Sequence, residues 1–189
     1  ELRLGRTVVA IHPRGRDLAV ETVEGDELVA PLVVAGVGVR PNTDFLAGTG
    51  LLDPGGGILT TARLEADAPG LWAAGDVAAF EDPIFGARHR VEHWLHAQHQ
   101  GKRAGENMTG EPRAYLRASG YDTQLFDVPV LVVGAPELAG RWTVEEPFLE
   151  GSGTAVGWRE EREVAAYRFG CGSIDVFARR IEARASATG

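Results

Sequence analysis

LWAAGDVAAFEDPIFGARHRVEHWLHAQHQGKRAGENMTG, residues 71–110, decides the fold and has two parts. The first is a short apolar run, residues 71–74, that stops at Gly75-Asp76. It reads as a strand, and a strand ending in Gly-Asp sets a carboxylate at its carboxyl end, where open α/β sheets place their ligands. The second part is a helical stretch opened by Arg90-Val91-Glu92-His93-Trp94 and stopped by Gly110. Trp94, Ala97, Gly101, Ala104 and Met108 fall near one face of a helix over residues 92–108. That face is mostly small. It allows either tight packing on a sheet or the close approach of a cofactor, and both readings stand at this point. The amino end of such a helix offers partial positive charge to an electron-rich group.

Working outward, residues 7–12 and 17–23 are strand candidates joined by the turn chemistry of Pro13-Arg14-Gly15-Arg16, which predicts a hairpin. Glu24-Gly25-Asp26 turns the chain again into residues 27–30. LVVAGV, residues 32–37, is short, continuous and rich in β-branched residues, the signature of a strand buried on both faces of a parallel sheet. A short helix is expected at residues 44–47. Asp53-Pro54-Gly55-Gly56-Gly57 reads as a loop without packing capacity, and residues 58–61 as a short strand. Beyond Pro112, apolar runs at 128–133, 142–148, 155–158 and 163–169 predict an antiparallel sheet. Ser173 is placed to cap a last helix. Its stripe is Ile174, Phe177, Ala178, Ile181 and Ala185, opposite Arg179, Arg180, Glu182 and Arg184. The expected fold class is α/β, followed by a small α+β unit with an antiparallel sheet.

Hydrophobic residues make up 44% and charged residues 24% of the 189, which excludes disorder of the whole chain. The net charge of −8, with no block of Lys or Arg, argues against nucleic acid and anionic membrane as partners. No apolar run approaches the length of a membrane span. Cys171 is the one cysteine, so no internal disulfide forms, and a reducing cytoplasm is the expected location. The chain opens at Glu1, as if entered within a sheet, and is read as a piece of a longer protein.

Two motifs narrow the class. LVVAGVGVRPN, residues 32–42, resembles the segment that returns the chain from the NAD(P) domain to the FAD domain in two-dinucleotide-fold flavoproteins. LWAAGDV, residues 71–77, resembles their second FAD motif. RVEHW, residues 90–94, followed by Gly101 and ENMTG, residues 106–110, is similar to the ferredoxin and rubredoxin reductase branch, which includes the apoptosis-inducing-factor group. The resemblance implies three parts: residues 1–40 as the end of an NAD(P)-binding domain, 41–112 as the second segment of an FAD-binding domain, and 113–189 as a C-terminal interface domain. It implies FAD and NAD(P) as cofactors, and an oxidoreductase passing electrons from a nicotinamide through flavin to a ferredoxin, rubredoxin, quinone or small oxidant, with a homodimer as one arrangement. The implied cofactor-binding residues are Pro41, Asn42, Gly75, Asp76, Val77, Arg90, Glu92, His93 and Trp94, with no catalytic side chain of the protein's own and no metal. Gly75 would let the backbone approach the cofactor. Asp76 would accept a hydrogen bond from a ribityl hydroxyl. The helix would aim its amino end at the flavin pyrimidine, with Trp94 against the ring edge, the backbone of His93 and Trp94 near its polar atoms, and Arg90 and Glu92 paired close by. Pro41-Asn42 would lie at the crossover between domains.

The sequence departs from this pattern twice. Neither glycine-rich phosphate loop is present, because Gly36-Val37-Gly38 runs into Val-Arg-Pro rather than a helix. This favours a fragment not active alone. The aromatic pair that reductases place beside the flavin is replaced by Tyr121-Asp122. Two rival readings are a docking or dimerisation module on a flavoprotein scaffold, and a metal-binding helix carrying His89, His93 and His96. Cys171 is read as a packing residue.

Overall fold

Two units build the chain, residues Glu1–Val39 and Arg40–Gly189. The computed structural model describes residues 1–149 and 151–183. In the first unit, β1 (Val8–Arg14), β2 (Asp17–Thr22) and β3 (Glu27–Ala30) form an antiparallel sheet in that order. The predicted hairpin is present. Its turn falls at Gly15, whose φ of +66° suits a residue without Cβ. Thr22 Oγ1 accepts the Asp26 N–H at 3.1 Å and tightens the second turn.

Residues 32–37, expected as a buried strand, form none. Leu32, Val34 and Val37 are 74, 86 and 89% exposed. A strand buried on both faces needs ladder partners on its edges and a layer over each face. No described strand pairs with this run, so its apolar composition has nothing to act on.

The second unit holds two sheets and two helices. β4 (Ile58–Thr60) pairs in parallel with β5 (Ala78–Asp82), and β5 pairs antiparallel with β6 (Ala87–His89). α1 (Trp94–Thr109) follows. β7 (Gly120–Leu125), β8 (Val128–Gly134), β9 (Arg141–Leu149), β10 (Ser152–Arg159) and β11 (Arg162–Phe169) then form one antiparallel sheet in the order β7-β8-β11-β10-β9. α2 (Asp175–Ala183) closes the described chain, and Ser173 Oγ accepts the Asp175 N–H at 3.1 Å as a cap. Ala185 of the predicted stripe and Arg184 of the face opposite it lie outside the described residues. Phe177 and Ile181 pack with Val133, Val156, Val164 and Ala166, so the apolar stripe of α2 meets the sheet. The fold class is therefore α/β followed by an α+β region with an antiparallel sheet. Among the described residues, no helix is long and apolar enough to cross a membrane.

Residues 71–74 are not a strand. Only an isolated bridge, Trp72 to Glu65, marks them. The Ala66 N–H reaches Leu71 O at 2.9 Å and the Ala73 N–H reaches Leu64 O at 3.1 Å, so neighbouring loops use up the backbone groups a ladder would need. Gly75–Val77 is a 3-10 turn that leads into β5. The carboxylate of Asp76 thus stands at the amino end of a parallel strand, not at a carboxyl end as expected.

α1 also differs from its expected register. Its buried residues are His96, Gln100, Ala104 and Asn107, whereas Trp94 and Met108 are exposed. A Cβ added at Gly101 would meet nothing within 4 Å, so that glycine serves neither packing nor close approach among the described residues. The inward face is polar because it completes the hydrogen bonds of irregular backbone. Asn107 Nδ2 donates to Arg63 O at 2.7 Å and Arg113 O at 3.0 Å, and its Oδ1 accepts the Arg113 N–H at 2.9 Å.

Candidate functional site

Gly75 is buried, and its N–H donates to Gln100 Oε1 at 2.8 Å. Its φ is +76°. A Cβ there would stand 3.0 Å from the Cβ of Ala97, so the absence of a side chain is what lets α1 lie against the turn. Val77 turns inward and packs on the cluster of Ile58, Ala66, Ala73 and Ala78. Asp76, between them, is left facing solvent.

Arg90 fixes the turn from the other side. Its Nη1 donates to the Asp76 carbonyl at 2.8 Å and to Glu92 Oε1 at 2.6 Å. The Arg90 side chain is 21% exposed, so this guanidinium holds backbone as well as a partner charge. Its stem needs Gly57: a Cβ added there would stand 2.6 Å from Arg90 Cδ and 2.9 Å from Ala79 Cβ. The glycine loop, expected to pack on nothing, is therefore fitted closely. Asp53 Oδ1 accepts the N–H groups of Gly55 and Gly57, each at 2.8 Å, and Thr43 Oγ1 donates to Gly56 O at 2.5 Å. Pro41 is half-buried beside Gly56, and Asn42 is exposed next to the buried Thr43. Sequence reading missed Asp53, Gly57, Thr43 and Gln100. The only signal was the run of glycines ahead of a strand, which marks a place where something approaches backbone closely. Gly57→Ala is expected to push Arg90 off the Asp76 carbonyl and destabilise by about 1–2 kcal/mol. Thermal unfolding checks this, and an unchanged Tm would refute the packing argument.

His93 is the residue before α1, with extended φ and ψ of −132° and 134° and no side-chain cap. Its ring lies against that of Tyr121, with centroids 4.1 Å apart and planes at 31°. Burial raises the Tyr121 hydroxyl above its ordinary range, followed by the neighbouring Tyr167, and so keeps it neutral. Trp94, the first helical residue, is 76% exposed. The helix begins at Trp94, two residues later than expected, and its first turn carries no acid. Its leading N–H groups therefore keep their partial positive charge for an outside acceptor.

Arg90 joins Asp76 and Glu92 to the glycine loop at Gly57, Pro41 lies beside Gly56 with Asn42 next to it in the chain, Gly75 sits against α1, and His93 and Trp94 stand at the helix start that follows. An exposed carboxylate, an uncapped helix amino end and an exposed indole follow one another along the chain here. The three imidazoles of the metal reading part company. His89 sits on β6 with Nε2 2.9 Å from Asp82 Oδ2, His93 stacks on Tyr121, and His96 is buried. They fail as a ligand set because the helix starts after His89. Cys171, read as packing, is exposed; the turn instead offers its carbonyl to Arg168.

The family model described as pyridine nucleotide-disulphide oxidoreductase matches residues 1–101. A protein named as a mitochondrial apoptosis-inducing factor 1 in Drosophila melanogaster is 43% identical over 106 residues, covering 54% of this chain and 14% of that protein. The peroxisomal monodehydroascorbate reductase 4 of Arabidopsis thaliana is 32% identical over 160 residues, covering 77% of this chain and 33% of that one. Among solved structures, a ferredoxin reductase of Rhodopseudomonas palustris superposes with a TM-score of 0.76 at 26% identity, covering 87% of this chain and 41% of that one. The chain thus spans a third or less of the length of these two curated relatives.

Proposed function

The chain belongs to the pyridine nucleotide-disulphide oxidoreductase family, and from that premise we propose that it is the C-terminal half of an FAD-dependent oxidoreductase. Electrons would pass from NAD(P)H through flavin to an external acceptor, a small electron-carrier protein such as a ferredoxin or rubredoxin, or a quinone. The family and its members depend on FAD and NAD(P)H. Residues 1–40 would complete the NAD(P) domain, 41–112 the FAD domain, and 113–189 an interface domain. The relatives act on different acceptors by name, a ferredoxin in one case and monodehydroascorbate in another. A ferredoxin-type carrier is the reading that the Rhodopseudomonas palustris ferredoxin reductase, 26% identical over 87% of this chain, supports. The single exposed cysteine suits a reducing compartment, the cytoplasm.

One observation carries this reading: the Gly75–Val77 turn presents Asp76 to solvent while Gln100, Arg90 and Gly57 fix its backbone. The Asp76 carboxylate would accept from a ribityl hydroxyl, a charge-assisted bond stronger than one to a neutral acceptor. The amino end of α1 would stabilise negative charge at the pyrimidine edge, and Trp94 would lie against the ring edge. Arg90 and Glu92 would keep the turn in place beside the nicotinamide approach. FAD, when bound, supplies the hydride and electron chemistry, and these residues supply orientation and electrostatics.

Asp76→Ala in the full-length flavoprotein is expected to weaken FAD binding at least about tenfold. Flavin content after gel filtration and FAD titration of the apoprotein measure it. Unchanged affinity would remove Asp76 from the site.

A further inference from the structure

The N-terminal unit carries a cluster that the flavin reading leaves unused. His12 is on β1, Glu21 on β2 and Glu27 on β3. Glu21 lies directly opposite Glu27 across the β2–β3 ladder. His12 pairs with Ala19, two residues before Glu21, which sets His12 and Glu21 diagonally on one face. One potential ligand atom from each of the three lies within 4.8 Å of the other two. His12 Nε2 is 3.7 Å from Glu21 Oε1.

Two carboxylates directly opposite each other in an antiparallel pair repel, which destabilises the ladder. A sheet that keeps them there, with an imidazole converging on the same point, is built to gain from a cation. Arg14 supplies part of that charge through its hydrogen bond to Glu27. A carboxylate has two oxygens, so Glu27 can serve Arg14 with one and an ion with the other. Glu21 receives no such bond from an arginine among the described residues.

We propose that His12, Glu21 and Glu27 form a binding site for a divalent cation of intermediate softness, with Zn²⁺ as the probe. One imidazole nitrogen and two carboxylate oxygens suit Zn²⁺ better than Mg²⁺ or Ca²⁺, which prefer oxygen alone. Ligand atoms around a tetrahedral Zn²⁺ stand about 3.4 Å apart. The His12–Glu21 pair is already near that spacing, and rotation about the long Glu27 side chain closes the rest. Water would fill the fourth position.

The test is calorimetric titration of the 189-residue chain with ZnCl2 in metal-free buffer at about pH 7.5. One saturable site is expected. His12→Ala and Glu21→Gln should each weaken it at least about tenfold, while excess Mg²⁺ should not displace Zn²⁺. Arg14→Gln should tighten binding, because it removes a competing positive charge and leaves all three ligands. Far-ultraviolet circular dichroism shows whether each variant keeps its sheet. No saturable binding up to about 1 mM Zn²⁺ would overturn the proposal. So would binding that folded His12→Ala leaves unchanged, which would assign the ion to other histidines.

Discussion

Acidification from pH 7 to pH 4 is expected to remove about 3 kcal/mol of stability through His96 alone. His96 is 2% exposed. Its ring lies among Phe80 and Tyr115, with centroids 5.6 and 5.2 Å away. Nδ1 is 3.5 Å from the Tyr115 hydroxyl, and Nε2 has no partner among the described residues. Burial, and then the neighbouring His89, His93 and His99, push its pKa from 6.5 down to about 4. The unfolded chain takes up the proton near 6.5 and the folded one only near 4, so between those values the unfolded state binds more protons. Stability is therefore full above about 6.5, falls with pH through that window and levels off below about 4. Carboxylates titrate nearby, so the informative measurement is a difference. Urea unfolding of wild type and His96→Leu should give similar values at pH 7, with the variant increasingly the more stable below pH 6. Parallel curves across the window would show that His96 does not titrate as its surroundings require.

Gly75→Val is expected to cost on the order of 3 kcal/mol, from two sources of comparable size. A β-branched residue at φ +76° is strained by about 1–2 kcal/mol. Its Cβ would also stand 3.0 Å from Ala97 Cβ and 3.5 Å from Ala97 Cα, on a helix backbone that cannot step aside cheaply. The turn would leave Gln100, whose Oε1 accepts the Gly75 N–H in a buried position. Losing that donor strands a buried acceptor, which adds to the cost. Denaturant unfolding of this chain gives the stability change, and a loss below about 1 kcal/mol would mean the helix can shift. In the full-length protein the same change should release flavin, because Asp76 moves with the turn.

The features legible in the sequence were those set by neighbours along the chain. Turn residues at Gly15 and Gly25 gave the first two hairpins. Alternation and β-branching gave β8 and β11, and a 3.6-residue stripe gave α2. The Gly-Asp turn was visible as a motif, and the family with it. What failed depended on partners distant in sequence. Residues 32–37 look like a strand only if neighbours exist to pair with them. β7 carries almost no apolar signal, since most of Gly120–Leu125 faces solvent. The inward face of α1 was misjudged because periodicity counts apolar residues, and this helix buries an imidazole and two amides instead. The fit of Arg90 over Gly57 joins residues 33 apart, which no local pattern could show.

Those two amides have a consequence for how the second unit moves. Gln100 holds the turn at Gly75, and Asn107 joins the loop at Arg63 to the chain at Arg113. Three connecting stretches thus take hydrogen bonds from a single helix. If α1 slid or rotated by one residue, all of these bonds would break together. The loops cannot drift singly while the helix keeps its place. The Asp76 turn, though irregular in shape, therefore belongs to the same cooperative opening unit as α1. A ligand resting on that turn would be released by an all-or-none event rather than by gradual loosening of a loop.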